Sequence, residues 1–329
     1  MSETPDGPTV ERFRADLLRL LPEAGTAPIG LAVSGGPDSM AMLVLAHAAF
    51  PGTLAVATVD HALRADSARE AVMVAGECAK IGIPHTILLP EDPIAGASLQ
   101  ARAREARYDL LEHWAVGAGV AALLTAHHAD DQAETFLMRA ARGSGLPGRA
   151  AIRARQALGG IALVRPLLDW RRAELRAIVR RAGVPFVDDP ANADDRYDRT
   201  RFRRLLEANE WLDPPRIARA AGHLAEADDG MRQMHDWLWQ ARAQIAPQGE
   251  VRIDVSEFPR ELRRRVAREA IEIVRRANRI TLPPFSDSRN IEPMLDALAE
   301  GRRATVGGVI ASVDGSAWRF RRAPPRRNH

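Results

Sequence analysis

Residues 29–50 have the sequence IGLAVSGGPDSMAMLVLAHAAF. The first part, Ile29 to Val33, is a short apolar run typical of a strand, and the residues after Ser39 are apolar over a length typical of a buried helix. A strand, a glycine turn and a helix start direct several backbone N–H groups and the positive end of the helix dipole at one point. This segment therefore predicts a loop that binds a phosphate group.

Six consecutive residues form the predicted loop: Ser34, Gly35, Gly36, Pro37, Asp38 and Ser39. The two glycines can adopt positive φ and let the backbone approach a phosphate closely, and the two serines add hydroxyl donors. The alternative is an ordinary turn in which the Asp or the second Ser caps the helix. Because the pattern stands directly between a strand and a helix, phosphate binding is favoured.

The loop differs from a Walker A loop, which needs a lysine that reaches the β- and γ-phosphates. The chain has a single lysine, Lys80, and no Gly-Lys-Ser/Thr sequence. A γ-phosphoryl transferase of the Walker type is therefore excluded.

The composition is that of an ordinary globular protein, with 46% hydrophobic and 27% charged residues, and 329 residues suffice for more than one domain. A single cysteine, Cys78, excludes a disulfide framework and any Cys-x-x-Cys metal or iron–sulfur site within the chain. The N-terminal residues lack the basic and apolar regions of a signal peptide, and no apolar run reaches the length of a membrane span. We therefore expect a cytoplasmic protein without a membrane partner.

Basic residues concentrate in the C-terminal part. From Arg260 onward the chain has 16 arginines and 8 acidic residues, although the net charge of the whole chain is only +3. This asymmetry indicates a polyanionic partner such as a nucleic acid. The alternative is an arginine-rich solvated surface.

Strand and helix patterns alternate through the first two thirds of the chain, which predicts an α/β fold with a doubly wound parallel sheet. The predicted strands end just before Ser34, Asp60 and Thr125. Ligands bind outside the carboxyl ends of the strands in such sheets. The sequence therefore predicts a nucleotide-binding domain whose site lies at this edge.

The character of the sequence changes after Pro214. We predict a catalytic domain over residues 1–212 and a smaller, mainly helical, arginine-rich domain over residues 213–329. Five large apolar residues have helical spacing and are expected in the core of the second domain: Leu224, Met231, Met234, Trp237 and Leu238.

The segment from Thr125 to Gly145 reads TAHHADDQAETFLMRAARGSG. Its residues His127, Asp131 and Glu134 are three or four positions apart, so a helix that starts near residue 129 would bring their side chains together. Such a cluster can hold Mg²⁺ with the phosphates of a nucleotide, or it can bind or deprotonate an amine. The alternative is that the acids only stabilise a helix N-terminus.

Two arginine-containing segments are further candidates. Arg104 and Arg107 are expected to share a helix face near Tyr108, and the alternative is a solvated basic face. Residues 188–203 form an acidic and proline-containing loop that continues into four arginines, one of them Arg199. The second segment is either a salt-bridged loop or a clamp for a substrate.

The loop at Ser34–Ser39 resembles the signature of the N-type ATP pyrophosphatases, or PP-loop enzymes, which cleave ATP between the α- and β-phosphates. Within that group, six segments in this order resemble the tRNA(Ile)-lysidine synthases and cover nearly all of the first domain: Ser34–Ser39, Asp60–Arg64, Arg104–Tyr108, Thr125–Gly145, Arg165–Leu168 and Asp189–Arg203. After Pro214 the resemblance is loose.

This resemblance implies ATP and Mg²⁺ as cofactors, and L-lysine and the isoleucine tRNA with a CAU anticodon as substrates. ATP would adenylate the C2 oxygen of the wobble cytidine, and the amine of lysine would then displace AMP. The product would be lysidine, which changes the codon read from AUG to AUA.

The resemblance also implies roles for the candidate residues. The loop residues would bind the phosphates, and Asp38 would bind Mg²⁺ or take part in activation. Arg107 and Arg199 would stabilise negative charge on the adenylated intermediate. Asp131 would bind the metal, and together with Glu134 it would also bind and deprotonate the lysine amine.

Other PP-loop enzymes fit less well. Thiolating relatives need cysteines, amidating relatives carry a glutaminase with a catalytic cysteine, and small-molecule ligases have no use for a basic C-terminal domain. A non-catalytic nucleotide- or RNA-binding protein would not need the acidic and arginine-containing segments.

Overall fold

The structure is a computed structural model that describes residues 4–61, 67–91, 99–188, 198–286 and 289–324, without side-chain detail for 99–101. The sequence also predicts helix caps at Asp66 and Ser98. These two residues, residues 62–64 and residues 189–197 lie outside the described ranges. The chain forms two compact units, Met1–Ala225 and Glu226–His329. The boundary falls within one long helix, α9 (Pro214–Arg242).

The first unit alternates strands and helices. Its helices are α1 (Gly7–Leu20), α2 (Pro37–Ala49), α3 (Ser67–Lys80), α4 (Leu99–Gly117), α5 (Ala129–Ala141), α6 (Leu146–Arg149), α7 (Arg172–Arg181) and α8 (Asp198–Glu207). Its strands are β1 (Ile29–Ala32), β2 (Leu54–Val59), β3 (His85–Leu88), β4 (Ala122–Leu124), β5 (Arg155–Leu158) and β6 (Ile161–Val164).

The six strands form one sheet in the order β3-β2-β1-β4-β6-β5, and all neighbours are parallel except β5 and β6. In the register, Ile29 pairs with Leu54 on one side and with Ala122 on the other. Because the strands around β1 are parallel, β1, β2 and β4 end at the same edge. The predicted doubly wound α/β fold is confirmed.

Helices cover both faces of the sheet. On one face, α1, α2, α3 and α7 enclose a core that includes Phe13, Leu43 and Leu175. On the other face, Leu111 of α4 packs with Leu123 and Leu163 of the sheet. Within α2, every residue from Met40 to Ala46 is buried, as expected for a helix that is apolar on all sides.

The second unit combines the end of α9 with α10 (Arg260–Ala277), α11 (Glu292–Ala299) and a five-stranded antiparallel sheet. The sheet has the order β7-β8-β11-β10-β9, from β7 (Ala243–Ile245), β8 (Val251–Asp254), β9 (Ala304–Val306), β10 (Val309–Asp314) and β11 (Ala317–Arg322). The apolar face of α10, with Val266, Ala270 and Ile271, shares one core with Val251 and Phe320 of the sheet.

Two of the residues predicted in the core of the second domain are exposed. Leu238 is buried and Met231 packs against the second core, but Met234 is 48% and Trp237 64% exposed. The buried side of α9 in this region includes His235 and Leu238, which are three positions apart. Met234 and Trp237 each precede one of these residues by one position, a rotation of about 100° around the helix, so they lie off the buried side.

Among the described residues, no helix is both long and apolar enough to span a membrane.

The single cysteine provides a test of the first core. Cys78 is fully buried on α3, and this burial, with a contribution from Glu77, raises the pKa of its thiol to about 11. Since the thiolate is the reactive form, alkylation by iodoacetamide at pH 8 should be about a hundredfold slower in the native protein than in guanidinium chloride. Mass spectrometry of the alkylated peptide measures both rates, and equal rates would contradict the packing of α3 against the sheet.

Candidate active site

The predicted phosphate loop connects β1 to α2. Gly36 is the N-cap of α2 and Pro37 is its first residue, where the missing N–H costs no helical hydrogen bond. The hydroxyl of Ser39 accepts the N–H of Ser34 at 3.2 Å and donates to the carbonyl of Gly36 at 3.0 Å. These two bonds fold the loop over the first turn of α2, whose unpaired N–H groups point to the carboxyl edge of the sheet.

Gly35 adopts a conformation that side chains disfavour, with φ +85°. A Cβ atom added there would lie 3.3 Å from Cε of Met73 and 3.5 Å from Cγ2 of Val74 on α3. The carbonyl of Gly35 also accepts the N–H of Val187 at 3.0 Å. The glycine is therefore required for the shape of the loop and for its close approach to α3.

A cavity of about 510 Å³ opens beside this loop. Five of the six predicted loop residues line it, all except Gly35. Its other walls come from the ends of β2 and β4 and from α4, α5 and α8, including Arg104, Arg107, Tyr108, His127, Asp131 and Arg199. Of the predicted site residues, Glu134 does not line this cavity.

Two carboxylates of the cavity are joined by a buried histidine. His128 Nε2 lies 3.4 Å from an oxygen of Asp38 and 3.5 Å from an oxygen of Asp131. Burial alone would lower the pKa of His128, but Asp131 and the contact with Asp38 raise it above its ordinary value. The second oxygen of Asp38, Oδ1, is buried without a hydrogen-bond partner, which leaves it available to a cation.

The same histidine starts α5. Its Nδ1 accepts the N–H of Asp131 at 3.3 Å, and the carboxylate of Asp131 accepts the N–H of His128 at 3.1 Å. This is a capping box in which His and Asp replace the usual Ser and Glu. The His-His-x-Asp-Asp sequence therefore fixes the helix start and the position of Asp131 together.

The carboxylate of Asp131 is stabilised as an anion. Burial alone would raise the pKa of Asp131, but His128 and Arg199 hold it far below its ordinary value. Arg199 Nη2 lies 2.5 Å from Oδ1 of Asp131. Asp131 is therefore ionised at any physiological pH and is a weak base.

Glu134 lies behind the cavity wall and contacts three arginines. Its side chain is fully buried, Oε2 accepts Nε of Arg199 at 2.7 Å, and Oε1 accepts Arg172 Nη2 and Arg203 Nε, each at 2.9 Å. Burial would raise the pKa of Glu134, but the bonds from Arg203 and Arg199 lower it. Glu134 instead lines a small neighbouring cavity of about 70 Å³.

Sequence reasoning missed the contribution of α7. The backbone N–H of Arg172 donates to Asp130 at 2.9 Å, and the guanidinium of Arg171 makes two bonds of 3.3 Å to the same carboxylate. These bonds attach the start of α7 to the first turn of α5. The sequence shows acids at the start of α5 and adjacent arginines elsewhere in similar number. It does not show which arginine pairs with which acid.

One wall of the cavity is basic. The guanidinium carbons of Arg104 and Arg107 lie 5.1 and 5.6 Å from the ring centre of Tyr108, and all three residues line the cavity. Burial lowers the pKa of the Arg107 guanidinium. Burial also lowers the pKa of His127 to about 3, so its imidazole is neutral. The structure places Arg107 and Arg199 on the cavity, and their role at an anion stays a prediction.

The arrangement can be compared with known proteins. Residues 9–209 match the PP-loop domain family. The chain is 42% identical over 328 residues to the tRNA(Ile)-lysidine synthase of Zymomonas mobilis, which covers 97% of this chain and 96% of that protein. It is 43% identical over 321 residues to the tRNA(Ile)-lysidine synthase of Novosphingobium aromaticivorans, with 96% and 94% covered.

The chain belongs to the tRNA(Ile)-lysidine synthase family. The identity with these relatives extends through the second unit, where the sequence alone gave only a loose resemblance. Among solved structures, a U34-tRNA thiolase from Methanococcus maripaludis matches with a TM-score of 0.56 and 16% identity, covering 66% of this chain and 79% of that one. This likeness shows that the two chains share a fold.

The backbone requirement at Gly35 yields a test. Gly35→Ala should weaken ATP binding about tenfold or more, because the added methyl group strains a positive-φ residue and presses on Met73. Isothermal titration calorimetry with ATP measures the change.

Gly52→Ala is the matched control. Gly52 also has positive φ, at +78°, but a Cβ atom there meets nothing within 4 Å, and Gly52 does not line the large cavity. It should lower stability without changing ATP affinity. Equal affinities of Gly35→Ala and wild type would contradict the role of the loop.

Proposed function

We propose that this chain ligates L-lysine to C2 of the wobble cytidine in the isoleucine tRNA with a CAU anticodon, at the expense of ATP. The observation that supports this is that the phosphate loop, Asp131, Arg107 and Arg199 all line the same cavity. In the first step, the C2 oxygen attacks the α-phosphorus and pyrophosphate leaves. In the second step, the neutral amine attacks C2, the C2–O bond breaks, AMP leaves with the oxygen, and the proton lost from the nitrogen passes to water.

In this proposal the loop holds the phosphates of ATP. Backbone N–H groups at the start of α2 and the hydroxyls of Ser34 and Ser39 would donate to the β- and γ-phosphate oxygens, which become the leaving pyrophosphate. Such donors stabilise the charge that develops as the bond between the α- and β-phosphates breaks.

The residues present also fit Mg²⁺. No cluster of three or more His, Cys, Asp or Glu side chains suited to a metal occurs among the described residues. Mg²⁺ commonly needs only one or two carboxylates, because phosphates and water complete its octahedron. Asp38, whose Oδ1 lacks a partner, and Asp131 would supply these carboxylates. When bound, the ion would neutralise phosphate charge.

The arginines of the cavity are assigned to the adenylated intermediate. Arg107 and Arg199 approach the cavity from two different helices, and both present guanidinium groups that can bind a phosphate with two parallel hydrogen bonds. They would hold the AMP group while the amine adds to C2.

The two carboxylates expected at the amine take different roles. Asp131 lines the cavity and would bind and orient the amino group of lysine, and its low pKa favours orientation over proton removal. Glu134 is enclosed by arginines behind the wall, and its role would be to hold Arg199. Catalysis by orientation of this kind can account for a large part of a rate enhancement.

The region after residue 212 would contact the tRNA. The proposal rests on the excess of arginine over acidic residues beyond Arg260, since phosphate contacts supply much of the affinity of proteins for nucleic acids. We place this reaction in the cytoplasm, where tRNA, ATP and lysine occur together.

The proposal is tested with a transcript of the isoleucine tRNA, ATP and lysine. Wild-type enzyme should release one AMP and one pyrophosphate per lysine attached, and nuclease digestion with mass spectrometry should find lysine on the wobble cytidine. Asp131→Asn should lower the rate of lysine attachment at least a hundredfold, because the neutral amide no longer attracts the ammonium group.

Asp169→Asn is the control, since this aspartate is exposed and pairs with Arg19 away from the cavity. It should keep the wild-type rate. Wild-type enzyme that forms no lysine-linked cytidine would refute the proposed reaction, and full activity of Asp131→Asn would refute the role of Asp131.

A further inference from the structure

Two arginines that do not line the large cavity bind the carboxylate of Glu134, which lies behind the wall of that cavity. Arg172 from α7 and Arg203 from α8 both donate to Oε1 of Glu134, at 2.9 Å each. Arg199 takes the other oxygen and is the only one of the three arginines on the wall of the large cavity. Arg172 is itself fixed, because its backbone N–H is bonded to Asp130.

The three arginines that contact Glu134 differ in how exposed their side chains are. Arg199 spans two carboxylates, with Nε on Glu134 and Nη2 on Asp131, and its side chain is 42% exposed. The side chains of Arg172 and Arg203 are 18% and 19% exposed. Arg199 is therefore the member of the group that can turn toward a ligand, while the other two are enclosed.

Charge compensation explains why Glu134 has more than one partner. A buried carboxylate that loses its only cation is strongly destabilised. If Arg199 were the only partner of Glu134, any movement of Arg199 toward a substrate phosphate would leave a buried charge unpaired. With Arg172 and Arg203 on Oε1, Glu134 stays compensated while Arg199 moves.

We infer that Arg172 and Arg203 are positioning residues that act through Glu134 to keep Arg199 available to the adenylated intermediate. This inference rests on the proposed function, and it assigns roles to two residues outside the substrate cavity. When either arginine is lost, Arg199 becomes more tightly bound to Glu134 and contributes less to the transition state.

A double-mutant cycle tests the inference. Arg203→Gln and Arg172→Gln should each lower kcat for lysine attachment about tenfold, with the KM for ATP changed less than about twofold, because a misplaced charge affects the transition state more than nucleotide binding. In an Arg199→Ala background, either substitution should have less than about a twofold further effect, because residues that act through one another are not additive.

Single-turnover assays with excess enzyme keep the slow variants measurable, and thermal unfolding shows that each is folded. Arg19→Gln is the matched control, because it removes an arginine from another partly buried carboxylate of the first unit, Asp16, which keeps the indole N–H of Trp170 as a donor and does not line the large cavity. It should change the melting temperature little and leave kcat unchanged. If a glutamine variant does not fold, Arg172→Lys or Arg203→Lys replaces it in the double-mutant cycle. Lysine keeps the positive charge but lacks the planar guanidinium group with its several N–H donors.

The inference would be overturned if both single variants kept the wild-type kcat. It would also be overturned if the fold-losses in kcat of the single variants multiplied in the double variants. Either result would make these arginines purely structural. If the wild-type enzyme attaches lysine, such a result affects only the positioning role. If the wild-type enzyme attaches none, the proposed function fails first, independently of any variant.

Discussion

The burial of α2 on all sides is the constraint on which the site depends. Residues 40–46 have no exposed face, so the helix can be placed in only one way between the sheet and the helices around it. Its first turn is therefore fixed at the carboxyl edge of β1, and the loop from Ser34 to Ser39 must close over that turn. A rigid set of N–H donors results, which is what the binding of a leaving phosphate group requires.

A second constraint is the balance of charge around α5. Asp130 and Asp131 lie in the first turn of this helix and Glu134 in its second turn, and each has an arginine partner from α8 or from the start of α7. Burying carboxylates at the edge of a core is unfavourable unless cations accompany them. The same ion pairs join α5, α7 and α8 and place Asp131 and Arg199 on the cavity. The contacts that stabilise this region therefore also position the side chains proposed to bind the substrates.

Much of the fold of the catalytic unit can be predicted from the sequence, because local sequence patterns determine it. The strand, glycine turn and apolar helix at residues 29–50 predict both the parallel sheet and the position of the loop. Partners distant in sequence were not predictable: Arg172 reaches Glu134 across 38 positions and Arg203 across 69, and nothing in the local sequence selects these pairs. Met234 and Trp237 were expected in a core because they have helical spacing with other apolar residues, yet both side chains are largely exposed.

The central claim is that one cavity binds the phosphates of ATP at Ser34–Ser39 and the amino group of lysine at Asp131. A crystal structure of the enzyme with a non-hydrolysable ATP analogue, Mg²⁺ and lysine tests it most directly. The account predicts phosphate oxygens within hydrogen-bonding distance of the loop N–H groups, and an amino group of lysine beside Asp131. Phosphates bound elsewhere, or lysine bound away from Asp131, would contradict it.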